Sequence, residues 1–557
     1  MDQVEGAAAY LRALARARAA TADGRWGDAA ALWEEVVAAN PVEGRGWAHL
    51  ADVCYHAQDY RRAIAAAGRA LDLGAGLPPF CAFPFDAAYR IACCHALLGE
   101  REAALRWLAT AFDRGYRDLA RARTDPDLAA LRDDLRYRDI VGIVDTTGMS
   151  RDEGWRADVA LLVREVKRLG YAPFRVVPEA EFDAAVRALH DAIPRFSDAR
   201  IVAELMTLLR LAGDGHTRLE RGFDVVPAMR QTLPLQFYLF AEGLFVVAAD
   251  PAYEDLLGAQ VLRFGDRPVD ELCRALDPLV SRDNEQWPNQ VIPYRLRELP
   301  LLHALDLVPQ PGRVDLTVHD RDGRERAATV ATDERHPDIW YDYPCPVGWR
   351  FFPETLAAPV PAYLRNMAAN YWFEHLPGER AIYCQFNRVR DDPAEPLADF
   401  TARLLARAEG DGVDRLVLDL RWNNGGNTFL ELPLLHGLIG SNRLNRRGAL
   451  FVVVGRRTFS AAQNLASLLD RHTAAIFVGE PTGSSPNFIG ETIIVELPYS
   501  KLRASISDLS WQSSWPMDYR TWLAPDLYAP PTFAAYRENR DPALEAALAC
   551  RERLPGW

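Results

Sequence analysis

The spacing of apolar residues divides the chain into four stretches. Over residues 1–145 they recur every three to four positions in an Ala/Leu/Arg-rich background, which predicts helix throughout. A longer period overlies this one. Trp26-Gly-Asp-Ala29 and Tyr60-Arg-Arg-Ala63 stand 34 residues apart and each is followed by a helix, AAALWEEVVAANP and AIAAAGRALDLG, with GWAHLADVCYHAQ between them. A third unit reads FDAAYRIACCHALLGEREAALRWLATAFDRG, after an insertion around LPPFCAFP. Residues 151–222 stay helical with a different composition. EAEFDAAVRALHDAIPRF and ARIVAELMTLLRLAG are amphipathic, and the second ends in the turn-forming cluster Gly213-Asp214-Gly215-His216-Thr217.

From 223 to 335 the pattern turns to short strands: LPLQFYLF, GLFVVAA, then VLRF, a Gly265-Asp266 turn, an RPV edge and a helix started by Asp270. From 380 to 530 apolar runs alternate with helices: IYCQF, ADFTARLLARAEG, LVLDL, TFLELPLLHGLIG, LFVVVG, a helix from Ser460, and IFVGE. Strands that are apolar almost throughout, alternating with helices, predict a largely parallel α/β sheet with its chemistry at the carboxyl ends of the strands.

At 557 residues the chain is too long for one core, so two to four domains are expected. Hydrophobic content of 49% and charged content of 25% are those of a soluble globular protein. The formal net charge of -13 argues against nucleic acid or an anionic membrane as partner. The N-terminus lacks the apolar core of a signal peptide, and no run of about 18 apolar residues predicts a membrane span. The eight Cys, Cys93 and Cys94 among them, have no CxxC spacing and read as buried reduced thiols of a cytoplasmic protein. Neither HExxH nor a GxGxxG or P-loop pattern occurs, so no metal and no nucleotide cofactor is expected.

Two loops carry candidate chemistry. In LVLDLRWNNGGN the turn Asn423-Asn424-Gly425-Gly426 follows a strand and can present backbone N–H groups to a developing oxyanion. Gly–Gly turns also arise for steric reasons alone. In GRRTFSAAQNLASLLD, Ser460 opens a helix, where a serine is ordinarily an N-cap. Its small neighbours Ala461 and Ala462 leave the hydroxyl approachable, and the Ala461 N–H is free at the helix start. If the two strands are adjacent, Ser460 could attack a carbonyl while the Ala461, Gly425 and Gly426 amides hold the oxygen.

Three resemblances follow from these residues. The 34-residue period with its large aromatic and helix-contact alanines resembles tetratricopeptide repeats, which present a groove to a partner peptide; a helical cap on the next domain is the equal alternative. The strand–turn–strand–helix unit at VLRFGDRPVDELCRAL resembles part of a PDZ module, which can bind a peptide as an added strand. The ordered motifs LVLDLRWNNGG, TFSAAQNLASLL, AAIFVGEPTGSSPN and LAPDLYAPPT, over roughly residues 150–550, resemble the catalytic domain of the tail-specific (C-terminal processing) serine peptidases. That family includes the tricorn core and the interphotoreceptor retinoid-binding repeats.

The last resemblance implies a crotonase-like α/β core and peptide-bond hydrolysis. Ser460 would be the nucleophile, with oxyanion donors at Gly425, Gly426 and Ala461. One branch of the family takes the proton on a Lys after the VGExT motif, but Ser485 stands in that window. The chain holds only two lysines, Lys167 and Lys501, with Lys501 on the later strand-like PYSKLRASI. The tricorn-like branch uses a His from the helical unit, which maps to His216 of GDGHT, and an acid after the nucleophile. A histidine is a competent base near neutral pH. Asp518 is the acid closest to the family position, one residue out of register. Asp526 reads as a turn residue and Glu480 of VGEPT as structural. His436 reads as helix packing, His472 lies at the far end of the nucleophile's helix, and His49, His56 and His95 belong to the repeats.

The expected layout is an all-α tetratricopeptide-like array (1–147), a helical subdomain (148–222), a PDZ-like β-rich insert (223–335) and a crotonase-like α/β peptidase core with tail (336–557). The expected partners are a peptide or protein substrate and a possible protein partner on the repeats. Two alternatives share the fold: a non-catalytic binding protein for peptide or apolar ligands, and an acyl-CoA enzyme using Arg456 and Arg457.

Overall fold

A computed structural model describes residues 3–74, 86–220, 226–334 and 345–550. The expected insertion around LPPFCAFP, with Cys81, lies outside the described residues. The chain divides into two compact units, Met1–Met149 and Ser150–Trp557.

The first unit is all-helical. Its main helices are Gln3–Ala22, Trp26–Ala39, Gly44–His56, Tyr60–Asp72, Ala87–Leu97 and Arg101–Asp113, followed by shorter ones. Two of them begin at Trp26 and Tyr60, so the anchors of the long period open these helices instead of preceding them. The Tyr60 and Ala87 helices are chemically marked at their starts: Asp59 accepts from the Arg62 N–H and Asp86 from the Tyr89 N–H, each satisfying a donor that the first helical turn leaves open. Ala29, Ala63, Ala66, Ala67 and Ala70 are buried around Trp33, so small residues at the contacts let neighbouring helices approach closely.

The second unit begins with three helices. Arg151–Leu169 is opened by a Ser150/Glu153 capping box, and Glu179–Ala192 and Asp198–Arg210 follow. Their apolar faces share one core with an antiparallel sheet in the order Leu235–Phe240, Gly243–Ala249, Gln260–Phe264, Arg313–His319, Glu325–Ala331. The short strand Arg267–Pro268 pairs with Gln260–Phe264, and the helix Val269–Leu276 follows. Between that helix and Arg313 the chain inserts the helices Trp287–Arg295 and Leu299–Ala304.

The second sheet has six strands in the order Leu527–Tyr528, Ile476–Gly479, Leu450–Val454, Arg415–Asp419, Ala381–Phe386, Tyr371–Leu376. All neighbours run parallel except the Tyr371–Leu376 edge. Alternation explains the continuous apolar runs. Leu450, Val452 and Val454 join the core on one face and Phe451 and Val453 the core on the other. The helices Leu397–Ala408, Leu432–Gly440 and Ala461–His472 make the crossovers.

A third sheet joins Arg218–Leu219, Arg503–Gln512 and Asn487–Glu496, all antiparallel. It ties the GDGHT turn to residues far along the chain. It also corrects the expectation for Lys501, which lies in the turn between two of these strands with φ +64°, not on a strand.

Candidate active site

The loop before Ser460 is held at both ends. Thr458 donates its N–H to the Gly455 carbonyl at 2.8 Å and its hydroxyl to the Leu420 carbonyl at 2.9 Å, and its Oγ1 accepts from the Gly455 N–H at 3.0 Å. The loop is thereby pinned to the neighbouring strand. Ser460 then takes φ 58° and ψ −127°, and its side chain makes no capping bond. An ordinary Ser N-cap has extended backbone and accepts from the second or third helical N–H. Ser460 occupies the cap position without capping. A non-glycine residue held there costs on the order of 1–3 kcal/mol, so the rest of the loop must enforce it.

The Gly–Gly turn packs directly against it. Gly425 has φ +103°, and a Cβ there would lie 2.7 Å from Ser460 Cβ and 2.8 Å from the Ala461 nitrogen. The adjacent strands thus bring the two candidate loops together. Gly426, at φ +141°, backs onto Val389, whose carbonyl oxygen would lie 2.1 Å from an added Cβ. The Gly425 N–H donates to Asn423 Oδ1 at 2.9 Å. This corrects its expected role as an oxyanion donor: the amide is already committed, and the residue serves close approach instead. Among the described residues nothing accepts from the Gly426 or Ala461 N–H.

His216 is placed by its own turn. Asp214 Oδ1 accepts from the His216 N–H at 2.9 Å, the Thr217 N–H at 2.6 Å and the Ser507 hydroxyl at 2.7 Å. The imidazole is buried between two aromatic rings, Phe459 at 4.5 Å and 25° and Phe488 at 5.5 Å and 9°. Neither ring nitrogen has a hydrogen-bond partner, and no hydrogen bond joins the ring to Ser460. Burial pushes its pKa down to about 3, Arg218 adds to the effect, and the Ile489 backbone opposes it only in part. The ring is therefore neutral at ordinary pH.

Asp518 does not meet it, contrary to expectation. Ser514 donates its hydroxyl to Asp518 at 2.5 Å, and Arg520 forms an ion pair with it at 2.7 Å and reaches on to Asp470 at 2.8 Å. Arg520, two residues away, satisfies the carboxylate and holds its pKa down at about 2, with desolvation opposing and the Ser514 bond assisting. Glu480 forms a bidentate pair with Arg456 at 2.8 and 2.7 Å, bracing the nucleophile loop from the next strand. That pair commits Arg456. Asp526 pairs with Arg447 at 3.0 Å and accepts from the Phe477 N–H at 2.8 Å, a structural position. Ser485 donates to the Thr521 carbonyl at 2.8 Å. Lys167 pairs with Glu179 and Asp183, and Lys501 donates to the Pro498 carbonyl. His436 is exposed, which corrects the expectation that it packs its helix, and His472 is exposed as well.

Sequence reasoning missed a segment of the helical insertion, 283–287. Asp283 Oδ1 accepts from the Gly215 N–H at 2.8 Å and Oδ2 from the Ser484 hydroxyl at 2.7 Å. Asn284 donates to the Thr482 and Thr521 carbonyls at 3.1 and 2.8 Å. Trp287 stacks on the far face of Phe459 at 4.1 Å and 17°. No local spacing marks these residues, because their partners lie on four other segments.

Among the described residues, one grouping has metal-ligand spacing: Cys93, Asp125 and Asp127 of the helical unit, within 4.8 Å of one another. Tyr89 and Tyr55 donate their hydroxyls to Asp125 and Asp127, so both carboxylates already have partners. None of the described helices is long and apolar enough to cross a membrane.

No family model and no curated protein matches the sequence. Solved structures do match in shape. Mature CPAF aligns with a TM-score of 0.50 at 12% identity, over 71% of this chain and 96% of its own. The photosystem II D1 C-terminal processing protease gives 0.34 at 14% identity over 71% and 96%. The tricorn protease gives 0.33 at 12% identity over 71% of this chain and 36% of its own. The likeness to mature CPAF is one of fold.

Proposed function

We propose that the unit from Ser150 onward is a serine peptidase of the tail-specific type, cleaving peptide bonds through an acyl-enzyme. The observation that carries this reading is Ser460: a serine in a strained backbone conformation, its hydroxyl not used for capping, with a Gly–Gly turn packed against its Cβ. The motif order around it and the fold shared with mature CPAF support the reading.

In the proposed reaction Ser460 Oγ attacks the scissile carbonyl carbon and its proton passes to His216. The carbonyl oxygen becomes an oxyanion held by the Gly426 and Ala461 N–H groups. The tetrahedral species collapses, the C–N bond breaks, and His216 returns the proton to the leaving amine. Water, deprotonated by the same ring, then attacks the acyl carbon, the bond to Ser460 Oγ breaks, and the ring returns its proton to Oγ as the acid product leaves. The resting ring makes no bond to Ser460. Such contacts commonly tighten only in the substrate complex.

The all-helical unit fits a tetratricopeptide-like role in recruiting a protein partner, and the antiparallel sheet at 235–331 fits a PDZ-like role in presenting a peptide. Both remain parts of the proposal. A fluorophosphonate probe should label the full chain at Ser460, and Ser460→Ala should remove the label while circular dichroism shows a folded protein. Equal labelling of the two proteins would refute the assignment.

A further inference from the structure

The expected orienting acid, Asp518, is held by Arg520, and neither nitrogen of the His216 ring contacts a carboxylate. Yet a base must be placed to within fractions of an ångström to act. What fixes it has to be found elsewhere in its surroundings. The ring stacks on Phe459 and on Phe488, and Phe459 is in turn stacked on Trp287. Two carboxyl groups hold the backbone that leads into the ring: Asp214, within the turn, accepts from the His216 N–H, and Asp283, from a distant segment, accepts from the Gly215 N–H before it.

Asp283 is joined to two segments. Through Gly215 it holds the peptide that leads into His216, and through Ser484 it holds the loop that follows the Glu480 strand. Gly215 has no room for a side chain: a Cβ there would lie 2.8 Å from the Phe459 ring. Gly483 is equally tight, with a Cβ position 2.9 Å from Trp287 and 2.1 Å from the Arg456 carbonyl oxygen. The two glycines let the turn, the loop and the aromatic rings close on one another, and Asp283 supplies the polar link between them.

We infer that Asp283 is a positioning residue for His216, tying the turn that Asp214 shapes to the Ser484 loop by holding the backbone amide before it, in the place where a carboxylate on the ring would otherwise act. The inference rests on the reading of Ser460 as nucleophile and His216 as base. What the geometry requires of residue 283 is an acceptor for the Gly215 N–H and a partner for the Ser484 hydroxyl. An amide meets both needs, since its oxygen accepts from Gly215 and its NH2 can donate to Ser484 Oγ. A negative charge is not required. The buried carboxyl, its pKa pushed up to about 7 chiefly by desolvation, accords with that.

The test uses the full chain and the fluorophosphonate probe, reading the saturating inactivation rate and the half-saturating probe concentration separately. Asp283→Ala is expected to lower the saturating rate by about 10- to 100-fold with the half-saturating concentration unchanged. Asp283→Asn should recover it to within about threefold. A wild-type rate in Asp283→Ala overturns the inference and leaves the peptidase reading standing. Equal damage in a folded Asp283→Asn overturns it too, because the charge itself would then be needed. A folded wild type that is not labelled at Ser460 overturns both. If Asp283→Ala does not fold, Ser484→Ala is read instead, since it leaves the Gly215 bond but frees the carboxyl to swing. A fall of about threefold or more at unchanged Tm supports the inference, and an unchanged rate overturns it.

Discussion

The imidazole of His216 lies face to face with the ring of Phe459, 4.5 Å away, and Phe459 is the residue immediately before Ser460. Candidate base and candidate nucleophile are thus coupled through one aromatic side chain. Phe459→Leu keeps most of the buried volume but removes the flat surface. We expect labelling of Ser460 to slow by about tenfold, with a stability loss of about 1 kcal/mol from the lost stacking. Urea melts alongside inactivation kinetics check both, and an unchanged rate would show that the ring does not depend on this contact.

Ser460 itself gives a stability prediction of opposite sign. Its φ of 58° is one that glycine adopts at no steric cost. Ser460→Gly should therefore abolish labelling and raise stability by about 1 kcal/mol, after the extra chain entropy of glycine is deducted from the relieved strain. Ser460→Ala keeps the Cβ and should not share the gain. Thermal melts of the two variants side by side decide it; equal stability would mean that the backbone is not strained.

The buried titratable groups set opposing pH dependences. His216 has a folded pKa of about 3, below its ordinary 6.5, so the unfolded chain takes up the proton first. Its contribution to stability is complete above about pH 6.5 and is lost as pH falls toward 3. Asp283 has a folded pKa of about 7, above its ordinary 3.8; Asp214 adds to the rise, while the Ser484 and Gly215 bonds and Arg175 oppose it. Its contribution is complete below about pH 3.8 and is lost as pH rises through 7. Asp283→Asn removes only the second dependence. Relative to wild type it should gain stability between pH 5 and pH 8, on the order of a few kcal/mol, by urea melts. An equal difference at the two pH values would show that Asp283 is ionised in the folded protein.

The parts of this site that local pattern encodes were legible in the sequence. LFVVV reads as a strand buried on both faces, SAAQNLASLL as a helix, and NNGG as the turn of an adjacent strand, and these lie together as expected. The helices at Trp26 and Tyr60 were legible for the same reason, since a repeat period is a local property. Asp518 misled because it was chosen by distance along the chain. The arginine two residues later was visible, and an i, i+2 acid–base pair on a turn was the warning. The commitment of the Gly425 amide to Asn423 could also have been foreseen, because an asparagine two residues before a glycine commonly folds into such a turn. Asp283 and Trp287 could not have been found, since their meaning depends on Gly215, Ser484 and Phe459, which meet only in the folded chain.

The stack of Trp287, Phe459, His216 and Phe488 draws one ring from each of four distant segments. A site of such long sequence separation closes late in folding, since every loop must be bridged before any ring finds its neighbour. During synthesis His216 emerges well before Ser460, and Ser460 before Phe488. Until the last of these residues has emerged, the hydroxyl has neither a held base nor a finished pocket. On the peptidase reading proposed above, the order of the chain leaves an unfinished copy unable to cut itself or the polypeptides emerging beside it.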